Sequence, residues 1–329
     1  MRLLVTGGCG FIGSHLVDAL VKQGRHVRVV DNLVIGRRAN LEQHNGNPAV
    51  EIFEADVADP AQMLDLARGA ERIFHLAALA DIVPSVENPT EYYRANVTGT
   101  FSVLEAARAH GVKRFVYTAS SSCYGIPAHY PTPETEPTDP RYPYALTKYL
   151  GEQLVLHWAK LYDLPAVAVR FFNVYGPRAR TSGTYGAVFG VFLAQLRAGK
   201  PLTVVGDGTQ TRDFTFVSDA VAGLIAAAES AYSDEVFNLG SGRPTSVNRL
   251  VELLGATESV TLPKRPGEPD STHADIAKIQ RLLGWSPQVS IEEGVRIMLD
   301  HIDHWRDAPV WTADRIETAT RAWFKHLKP

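Results

Sequence analysis

The segment RLLVTGGCGFIG, residues 2–13, joins an apolar run to a glycine motif and then to a helical pattern. Gly7, Gly10 and Gly13 are spaced three apart, which permits a tight turn after a strand and lets a pyrophosphate approach the backbone. The amino terminus of the helix that follows faces the negative charge of the phosphates. The spacing therefore predicts the strand, turn and helix of a dinucleotide-binding unit.

Short β-branched runs alternate with helical stretches through the first half of the chain. The runs are residues 2–6, 27–30, 50–54, 72–76, 114–118 and 166–170, and a helix begins at Phe11. This alternation predicts an α/β fold with a Rossmann-type doubly wound parallel sheet, covered by helices on both faces. Glycine and proline punctuate the second half, which predicts a smaller α/β carboxy-terminal substrate domain with the active site in the cleft between the two.

Composition excludes several classes of function. The 329 residues carry a formal net charge of −3 and no lysine-rich block, so we expect no binding to nucleic acid. The apolar run at residues 220–228 is too short to span a bilayer. The first residues lack a signal-peptide core, so we expect a cytoplasmic protein that does not contact membranes.

Cysteine and histidine offer no metal site. Cys9 and Cys123 are the only cysteines, too few for a disulfide framework or a metal quartet, and we expect both thiols to be buried. His301 and His304 share a helix face, but no third ligand accompanies them. The sequence predicts no bound metal.

Asp31 lies 18 residues after Gly13, at the end of the second predicted strand. A carboxylate there accepts hydrogen bonds from the adenosine ribose hydroxyls and repels a 2′-phosphate, which favours NAD over NADP. Arg37 and Arg38 could still hold such a phosphate, so NADP stays an alternative. Asp56, after the third strand, either reaches the adenine amino group or caps the helix that begins near Pro60.

The segment YPYALTK puts Tyr144 and Lys148 one helical turn apart, with both side chains on one face. A nearby ammonium is expected to lower the pKa of the tyrosine toward a value useful for proton transfer. Ser120, Ser121 and Ser122 follow a strand and offer hydroxyls to share the substrate proton. Taken singly, the helix could be structural and the serines could form a turn. With the glycine motif upstream, they predict a catalytic site.

These motifs together resemble one family. TGGCGFIG, Asp31, HLAA (75–78), Asn96 in NVTGT, SSSCYG, YPYALTK, RFFNVYGP (170–177), GDGTQTRDFTFV (206–217) and RPGEPDSTHAD (265–275) resemble extended short-chain dehydrogenase/reductases that act on nucleotide sugars, above all NAD-dependent UDP-sugar 4-epimerases. The resemblance covers residues 1 to about 300. It implies an NAD-binding domain over residues 1–177, to which 212–237 return, and a nucleotide-sugar-binding domain over 178–211 and 238–329.

The resemblance also implies the site residues. In the cofactor site it implies Gly7, Gly10, Phe11, Ile12, Gly13, Asp31, Asn32, Gly36, Asp56, Val57, Leu76, Ala77, Ala78, Ala80, Asn96, Thr118, Tyr144, Lys148 and Phe171. Against the substrate it implies Ser120, Ser121, Ser122, Tyr144, Asn173, Arg180, Ala187, Val188, Thr203, Val205, Gln210, Arg212, Arg265 and Glu268.

The implied catalytic residues are Ser120, Tyr144 and Lys148. Tyr144 would take the proton of the sugar 4-OH, Ser120 would bond to that oxygen, and Lys148 would tune Tyr144 and hold the nicotinamide ribose. The sugar C4 hydride would pass to NAD and return to the opposite face of a 4-keto intermediate.

Three residues are implied at the diphosphate or in orienting the sugar nucleotide: Asn173, Arg212 and Arg265. Glu268 matches the acid that holds the uridine ribose. Paired arginines suit a diphosphate because their forks bond its oxygens directly. An ion pair between Arg212 and its neighbour Asp213 is disfavoured, since adjacent side chains rarely face each other.

Two positions bear on which reaction and which sugar. Relatives that dehydrate or decarboxylate the 4-keto sugar carry an acid where this chain has Ser122, so simple epimerisation is favoured. Uronic-acid epimerases resemble this chain in placing arginine at the position of Arg180, where a substrate carboxylate would match it with about 1.5 to 3 kcal/mol. Arg178 serves either the loop or the diphosphate.

The favoured function is epimerisation of UDP-glucuronate to UDP-galacturonate. A 4-keto uronate loses carbon dioxide when its carboxylate bond aligns with the carbonyl π system, and Arg180 with Ser121 and Ser122 could hold it out of alignment. UDP-glucose or UDP-N-acetylglucosamine 4-epimerase, a dehydratase or decarboxylase, and a non-enzymatic NAD-binding sensor are alternatives.

Two features concern packing beyond the site. Helices near 90–110 and 144–162 resemble those through which the family forms dimers, so a homodimer is expected. Residues 309–327 carry Trp311, Ile316, Trp323 and Phe324 on a helical pattern. This tail either packs on its own domain, which we favour, or contacts a second subunit.

Overall fold

The structure is a computed structural model that describes residues 2–179 and 187–327. Its strands are β1 Arg2–Thr6, β2 His26–Asp31, β3 Val50–Glu54, β4 Arg72–His75, β5 Arg114–Ser120, β6 Ala166–Phe171, β7 Asn173–Tyr175, β8 Leu202–Val205, β9 Thr211–Arg212, β10 Phe214–Phe216, β11 Glu235–Leu239, β12 Thr245–Ser246 and β13 Ser259–Leu262. Its helices are α1 Phe11–Lys22, α2 Pro60–Leu66, α3 Ile82–Glu87, α4 Pro89–Tyr93, α5 Gly99–Ala109, α6 Pro143–Tyr162, α7 Val188–Arg197, α8 Val217–Glu229, α9 Val247–Leu253, α10 Ala277–Leu283, α11 Ile291–Asp300, α12 Ala313–Ala319 and α13 Arg321–His326.

Seven strands form one parallel sheet in the order β11, β6, β5, β4, β1, β2, β3. The six predicted strands and the predicted parallel sheet are confirmed. The order reverses between β4 and β1, so the carboxyl ends of these two strands flank the crevice where such sheets bind ligands.

Helices cover both faces of the sheet because successive residues of its strands point to opposite sides. In β1, Leu3 and Val5 join the core under α1 and α8, whereas Leu4 joins the core under α2, α5 and α6. This alternation explains why Leu3, Leu4 and Val5 are all apolar: each face of β1 meets a hydrophobic layer.

The second half contributes to the sheet as well as forming its own layer. Strand β11 pairs with β6, and α8 packs on α1. Helices α7, α9 and α11 and strands β8 and β10 surround a separate core built on Tyr175, Phe192, Leu250 and Trp305, whereas Ile279 of α10 joins the core of the large sheet. The domain limits drawn from the resemblance stay a prediction.

The carboxy-terminal tail contacts both halves of the chain. Helix α13 lies against α3, which belongs to the first half of the chain, and Trp323 is 4% exposed. The favoured prediction, that the tail packs on its own domain, is confirmed by Trp311, which lies against the core of the second half, and by Trp323, which donates to the carbonyl of Pro266. The contact of α13 with α3 adds a link to the first half of the chain. The alternative of a subunit contact stays a prediction.

Both cysteines are buried, as predicted, and burial raises the pKa of each thiol to about 12. Among residues 2–179 and 187–327, no three His, Cys, Asp or Glu side chains gather as a metal site would require. The helices in these ranges are all too short or too polar to cross a membrane.

Candidate active site

The glycine turn between β1 and α1 lies against the loop that follows β4. Gly7 has a φ of +70°, and a Cβ there would lie 2.7 Å from the amide nitrogen of Ala77. A Cβ on Gly13 would lie 2.1 Å from the carbonyl oxygen of Gly7. Both positions require glycine, and the backbone cradle that they leave at the start of α1 fits a pyrophosphate.

Asp31 ends β2 and is 6% exposed. Its carboxylate accepts hydrogen bonds from the amides of Cys9 at 3.0 Å and Leu33 at 2.9 Å. Burial raises the pKa of Asp31, and these two bonds oppose the rise. A Cβ on Gly36 would lie 2.6 Å from both carboxylate oxygens, so only glycine lets the following loop pass so closely. The position suits recognition of an adenosine ribose.

Asp56 forms an ion pair with Arg94 at 2.7 Å and accepts the amide of Ala58. The alternative that Asp56 caps the helix near Pro60 is wrong. Asp59 caps α2, because its carboxylate accepts the amides at the start of that helix.

The other residues predicted for the cofactor site lie at the carboxyl edge of the sheet, in the first helix or on the turn before α5. Phe11 and Ile12 begin α1, while the strand ends and the loops after them hold Asn32, Val57, Leu76, Ala77, Ala78, Ala80, Thr118 and Phe171. Asn96 lies on a single π-helical turn between α4 and α5 and is 1% exposed.

Asn96 joins two parts of the candidate site. Its side chain exchanges hydrogen bonds with the backbone of Leu79 at 2.8 and 3.0 Å, and donates another to Oγ1 of Thr147 at 3.0 Å. It therefore fixes the loop after β4 to helix α6, which carries Tyr144 and Lys148.

Tyr144 and Ser120 are in direct contact. Oη of Tyr144 donates to Oγ of Ser120 at 3.3 Å, and Oγ of Ser122 lies 2.8 Å from the Ser120 hydroxyl. Ser121 and Ser122 begin a 3₁₀ turn just after β5. Lys148 lies one turn beyond Tyr144 on α6 and is 4% exposed.

Burial controls the pKa of both titratable groups. It raises the pKa of Tyr144, although the bond to Ser120 opposes the rise. It lowers the pKa of Lys148 to about 7, opposed by the charge of Glu152. The predicted lowering of the Tyr144 pKa is wrong for this geometry, because lost hydration, to which the charge of Asp81 adds, outweighs the hydrogen bond to Ser120.

A second polar cluster is formed by residues of the second half of the chain. NH2 of Arg212 is 2.6 Å from Oε1 of Glu268, and NH1 of Arg265 is 3.8 Å from Oε2 of the same carboxylate. Asp213 instead binds the turn after β11, so the predicted absence of an Arg212–Asp213 pair holds. Asn173 is exposed at the start of β7, and its Oδ1 accepts the Thr272 hydroxyl.

The remaining residues predicted to contact substrate around α7 and β8 are Ala187, Val188, Thr203, Val205 and Gln210. Thr203 is 6% exposed, and its hydroxyl accepts a hydrogen bond from Gln195 at 2.9 Å. Gln210 donates to the Val205 carbonyl at 2.7 Å. These contacts give Thr203 and Gln210 structural roles in the wall of the second half.

The two loop arginines have different outcomes. Arg178 has a φ of +63°, and NH2 lies 2.7 Å from Oδ2 of Asp18 on α1. Arg178 was predicted to serve either the loop or the diphosphate, and this contact favours a role in the loop. Arg180 lies outside the described residues.

Sequence reasoning missed Tyr142. Its ring stacks against Tyr144 with centroids 6.4 Å apart, and its hydroxyl hydrogen-bonds to Ser122. The available signal was the YPY segment, where Pro143 starts α6 and leaves the preceding tyrosine beside Tyr144.

Residues 3–240 match the NAD dependent epimerase/dehydratase family. The chain belongs to this family. The cofactor of this family is NAD, which is also the cofactor predicted from Asp31. The backbone cradle formed by the glycine turn fits it.

Individual relatives of this family act on related substrates. UDP-glucose 4-epimerase of Mycolicibacterium smegmatis is 39% identical over 302 residues, covering 90% of this chain and 96% of the relative. UDP-glucuronic acid decarboxylase 2 of Arabidopsis thaliana is 37% identical over 309 residues, which cover 91% of this chain and 67% of the relative. The structure of UDP-glucuronic acid 4-epimerase from Bacillus cereus, in complex with UDP-glucuronic acid and NAD, is similar at a TM-score of 0.85, with 34% identity over 92% of this chain and 99% of that one.

Proposed function

We propose that this protein is an NAD-dependent 4-epimerase of a UDP-hexose. The observation that carries the proposal is the contact of Tyr144 with Ser120, at the carboxyl edge of the sheet, one turn from Lys148. A phenol, a hydroxyl and a buried ammonium in this arrangement can take and return the proton of a sugar alcohol. Bound NAD supplies the hydride acceptor at C4 and the source of its return.

Each of the three residues has a distinct task. Tyr144 accepts the 4-OH proton, and Ser120 holds the same oxygen through the hydrogen bond that it now shares with Tyr144. The raised pKa of Tyr144 calls for a cation to stabilise its phenolate, and Lys148 is the cation on the same face of α6. The ribose of the nicotinamide is the partner that we assign to the Lys148 ammonium.

The cluster of Arg212, Arg265 and Glu268 provides the grip on the nucleotide. Two guanidinium groups near one carboxylate can bond diphosphate oxygens while Glu268 accepts from ribose hydroxyls. Asn173 lies between this cluster and Tyr144 in chain order and is exposed for contact with the sugar nucleotide.

UDP-glucuronate is the substrate that we favour, with UDP-galacturonate as product. Arg180 offers a cation to the C6 carboxylate, and Ser121 and Ser122 offer hydroxyls. Ser122 supplies no carboxylate for proton removal at C5, which argues against dehydration or decarboxylation. The Bacillus cereus enzyme, named for epimerisation of the same uronate, supports this choice.

A second candidate is UDP-glucose or UDP-N-acetylglucosamine 4-epimerase. The identity of 39% to a UDP-glucose 4-epimerase favours it. A neutral sugar would leave Arg180 without a substrate charge to match, so the two candidates differ in how they depend on that residue.

Incubation with a panel of UDP-sugars, with products identified by NMR, tests the function. We expect conversion of UDP-glucuronate to UDP-galacturonate and no pentose product. Arg180→Ala should lower turnover of UDP-glucuronate far more than turnover of UDP-glucose, whereas Arg178→Ala, the matched control, should affect both sugars alike. Equal loss on both sugars in Arg180→Ala would contradict the charge match, and a pentose product would indicate a decarboxylase.

We also propose that the protein forms a homodimer through α6 and the helical stretch at 89–109. Five apolar side chains in these segments are 43 to 57% exposed: Tyr93, Phe101, Leu146, Leu161 and Tyr162. Exposed apolar groups on neighbouring helices indicate an interface. Sedimentation should give the mass of a dimer, and a monomer at every concentration would reject this assembly.

A further inference from the structure

Trp323 in the tail lies on a helix that links the two halves of the chain. Its ring is 4% exposed, and Nε1 donates a hydrogen bond to the carbonyl of Pro266 at 2.7 Å. Helix α13, which carries it, packs on α3 from the first half of the chain. One tail residue therefore contacts the loop that bears Arg265 while its helix is anchored on the opposite side.

The indole of Trp323 lies against the guanidinium of Arg265. Cζ of Arg265 is 5.6 Å from the ring centroid, within the range of a cation–π interaction. The Arg265 side chain is 13% exposed and NH1 is 3.8 Å from Glu268. The indole and the carboxylate thus restrict the rotamers of Arg265 before any ligand is present. Without them, the side chain would lose this freedom when the ligand binds.

A second aromatic contact ties the indole to the catalytic helix. The ring of Tyr142 lies between Trp323 and Tyr144, with centroid distances of 6.3 and 6.4 Å. Because Tyr142 also hydrogen-bonds to Ser122, its own position is fixed from the side of β5. Trp323 is therefore packed against a side chain that has its own anchor at Ser122.

We propose that Trp323 is a positioning residue that holds Arg265 in the orientation needed to bind the diphosphate of the nucleotide sugar. The inference rests on the proposed function, since it takes Arg265 as a diphosphate ligand. Preorganisation of this kind acts on binding, because the side-chain entropy is lost before the substrate arrives. It leaves the proton transfer between Tyr144 and the sugar unchanged.

Three variants test the proposal in the NAD-loaded full-length enzyme. Trp323→Leu keeps an apolar side chain beside Tyr142 but removes the aromatic face, whereas Trp323→Phe keeps a ring. Phe324→Ala changes a neighbour on α13 that is 45% exposed and serves as the matched control. The readouts are the dissociation constant of UDP by calorimetry, and kcat and KM for the UDP-sugar that the enzyme converts.

Trp323→Leu should weaken UDP binding and raise KM about tenfold, with kcat within about twofold of wild type. Trp323→Phe should recover most of the loss, and Phe324→Ala should match wild type. The proposal is overturned if Trp323→Leu binds UDP as tightly as wild type, if Leu and Phe give equal losses, or if only kcat falls. A wild-type enzyme that binds no UDP would overturn the proposed function as well, whereas tight wild-type binding that Trp323→Leu retains overturns this inference alone.

Discussion

Glu152 and Arg170 form a bidentate ion pair with nitrogen–oxygen distances of 2.6 and 2.8 Å. Both side chains are buried, at 1% and 5% exposure of the residues. Glu152 lies two turns beyond Tyr144 on α6, and Arg170 lies in β6, so the pair fixes α6 to the sheet. Burial lowers the pKa of Lys148, and the negative charge of Glu152 opposes that lowering.

Glu152→Ala should lower the free energy of unfolding by about 3 to 5 kcal/mol, because it leaves a buried guanidinium without its carboxylate. Urea denaturation measures the loss. Asp65→Ala on α2 is the control, since its pair with Arg68 is exposed and should contribute less than about 1 kcal/mol. Equal losses in the two variants would show that the buried pair does not secure α6.

Tyr144→Phe should lower kcat about 100- to 10,000-fold while leaving the folded structure and UDP affinity intact. The phenol oxygen is the only atom removed, and its contact in the described structure is the hydroxyl of Ser120. Steady-state kinetics and the dissociation constant of UDP measure the two effects separately. Tyr162→Phe, at the far end of the same helix, should behave as wild type; activity retained in Tyr144→Phe would remove the tyrosine from the mechanism.

Gly13→Ala should abolish NAD binding, whereas Gly10→Ala should reduce it only moderately. A Cβ on Gly13 would lie 2.1 Å from the Gly7 carbonyl, a backbone atom that cannot move without reshaping the turn. The corresponding distance for Gly10 is 3.1 Å, which a shift of a few tenths of an ångström relieves. Calorimetric titration with NAD and the melting temperature test the ranking, and equal tolerance of both substitutions would contradict the proposed cradle.

The features that could be predicted from sequence are those encoded within short segments. The turn from β1 to α1 requires glycine at Gly7 and Gly13, and Tyr144 and Lys148 share a face because they are one turn apart. Strand β11 was missed as a strand because five residues gave no pattern of their own. Its place in the sheet depends on pairing with β6, more than sixty residues earlier in the chain.

What sequence could not predict depends on burial and on distant contacts. Asp56 and Asp59 both precede Pro60, and only the backbone geometry determines which of them caps α2. The pKa of Tyr144 rises because the folded chain removes water from it, which the proximity of a lysine in sequence does not reveal. Trp323 meets Tyr142 and Pro266 through folding of the tail, without any local signal.

His75 at the end of β4 should make the folded state sensitive to acid. Its Nδ1 lies 2.6 Å from Oγ1 of Thr6, and its Nε2 lies 3.0 Å from Oγ1 of Thr100. Because Thr100 donates its own proton to the Asn96 carbonyl, Nε2 of His75 must be the donor and Nδ1 the acceptor. This pattern fits the neutral ring, and burial lowers the pKa of His75 to about 3.

The sign of the effect follows from proton binding in the two states. Between pH 6.5 and about 3 the unfolded chain protonates this histidine and the folded chain does not, so stability falls as the pH is lowered through that window. In wild type, His75 should lower the free energy of unfolding by about 1.4 kcal/mol for each pH unit of acidification in this window. His75→Gln should remove this part of the slope, as measured by urea unfolding between about pH 4.5 and 6. His157→Gln, an exposed histidine on α6, should leave the slope unchanged. The same slope in wild type and His75→Gln would mean that His75 is protonated in the fold.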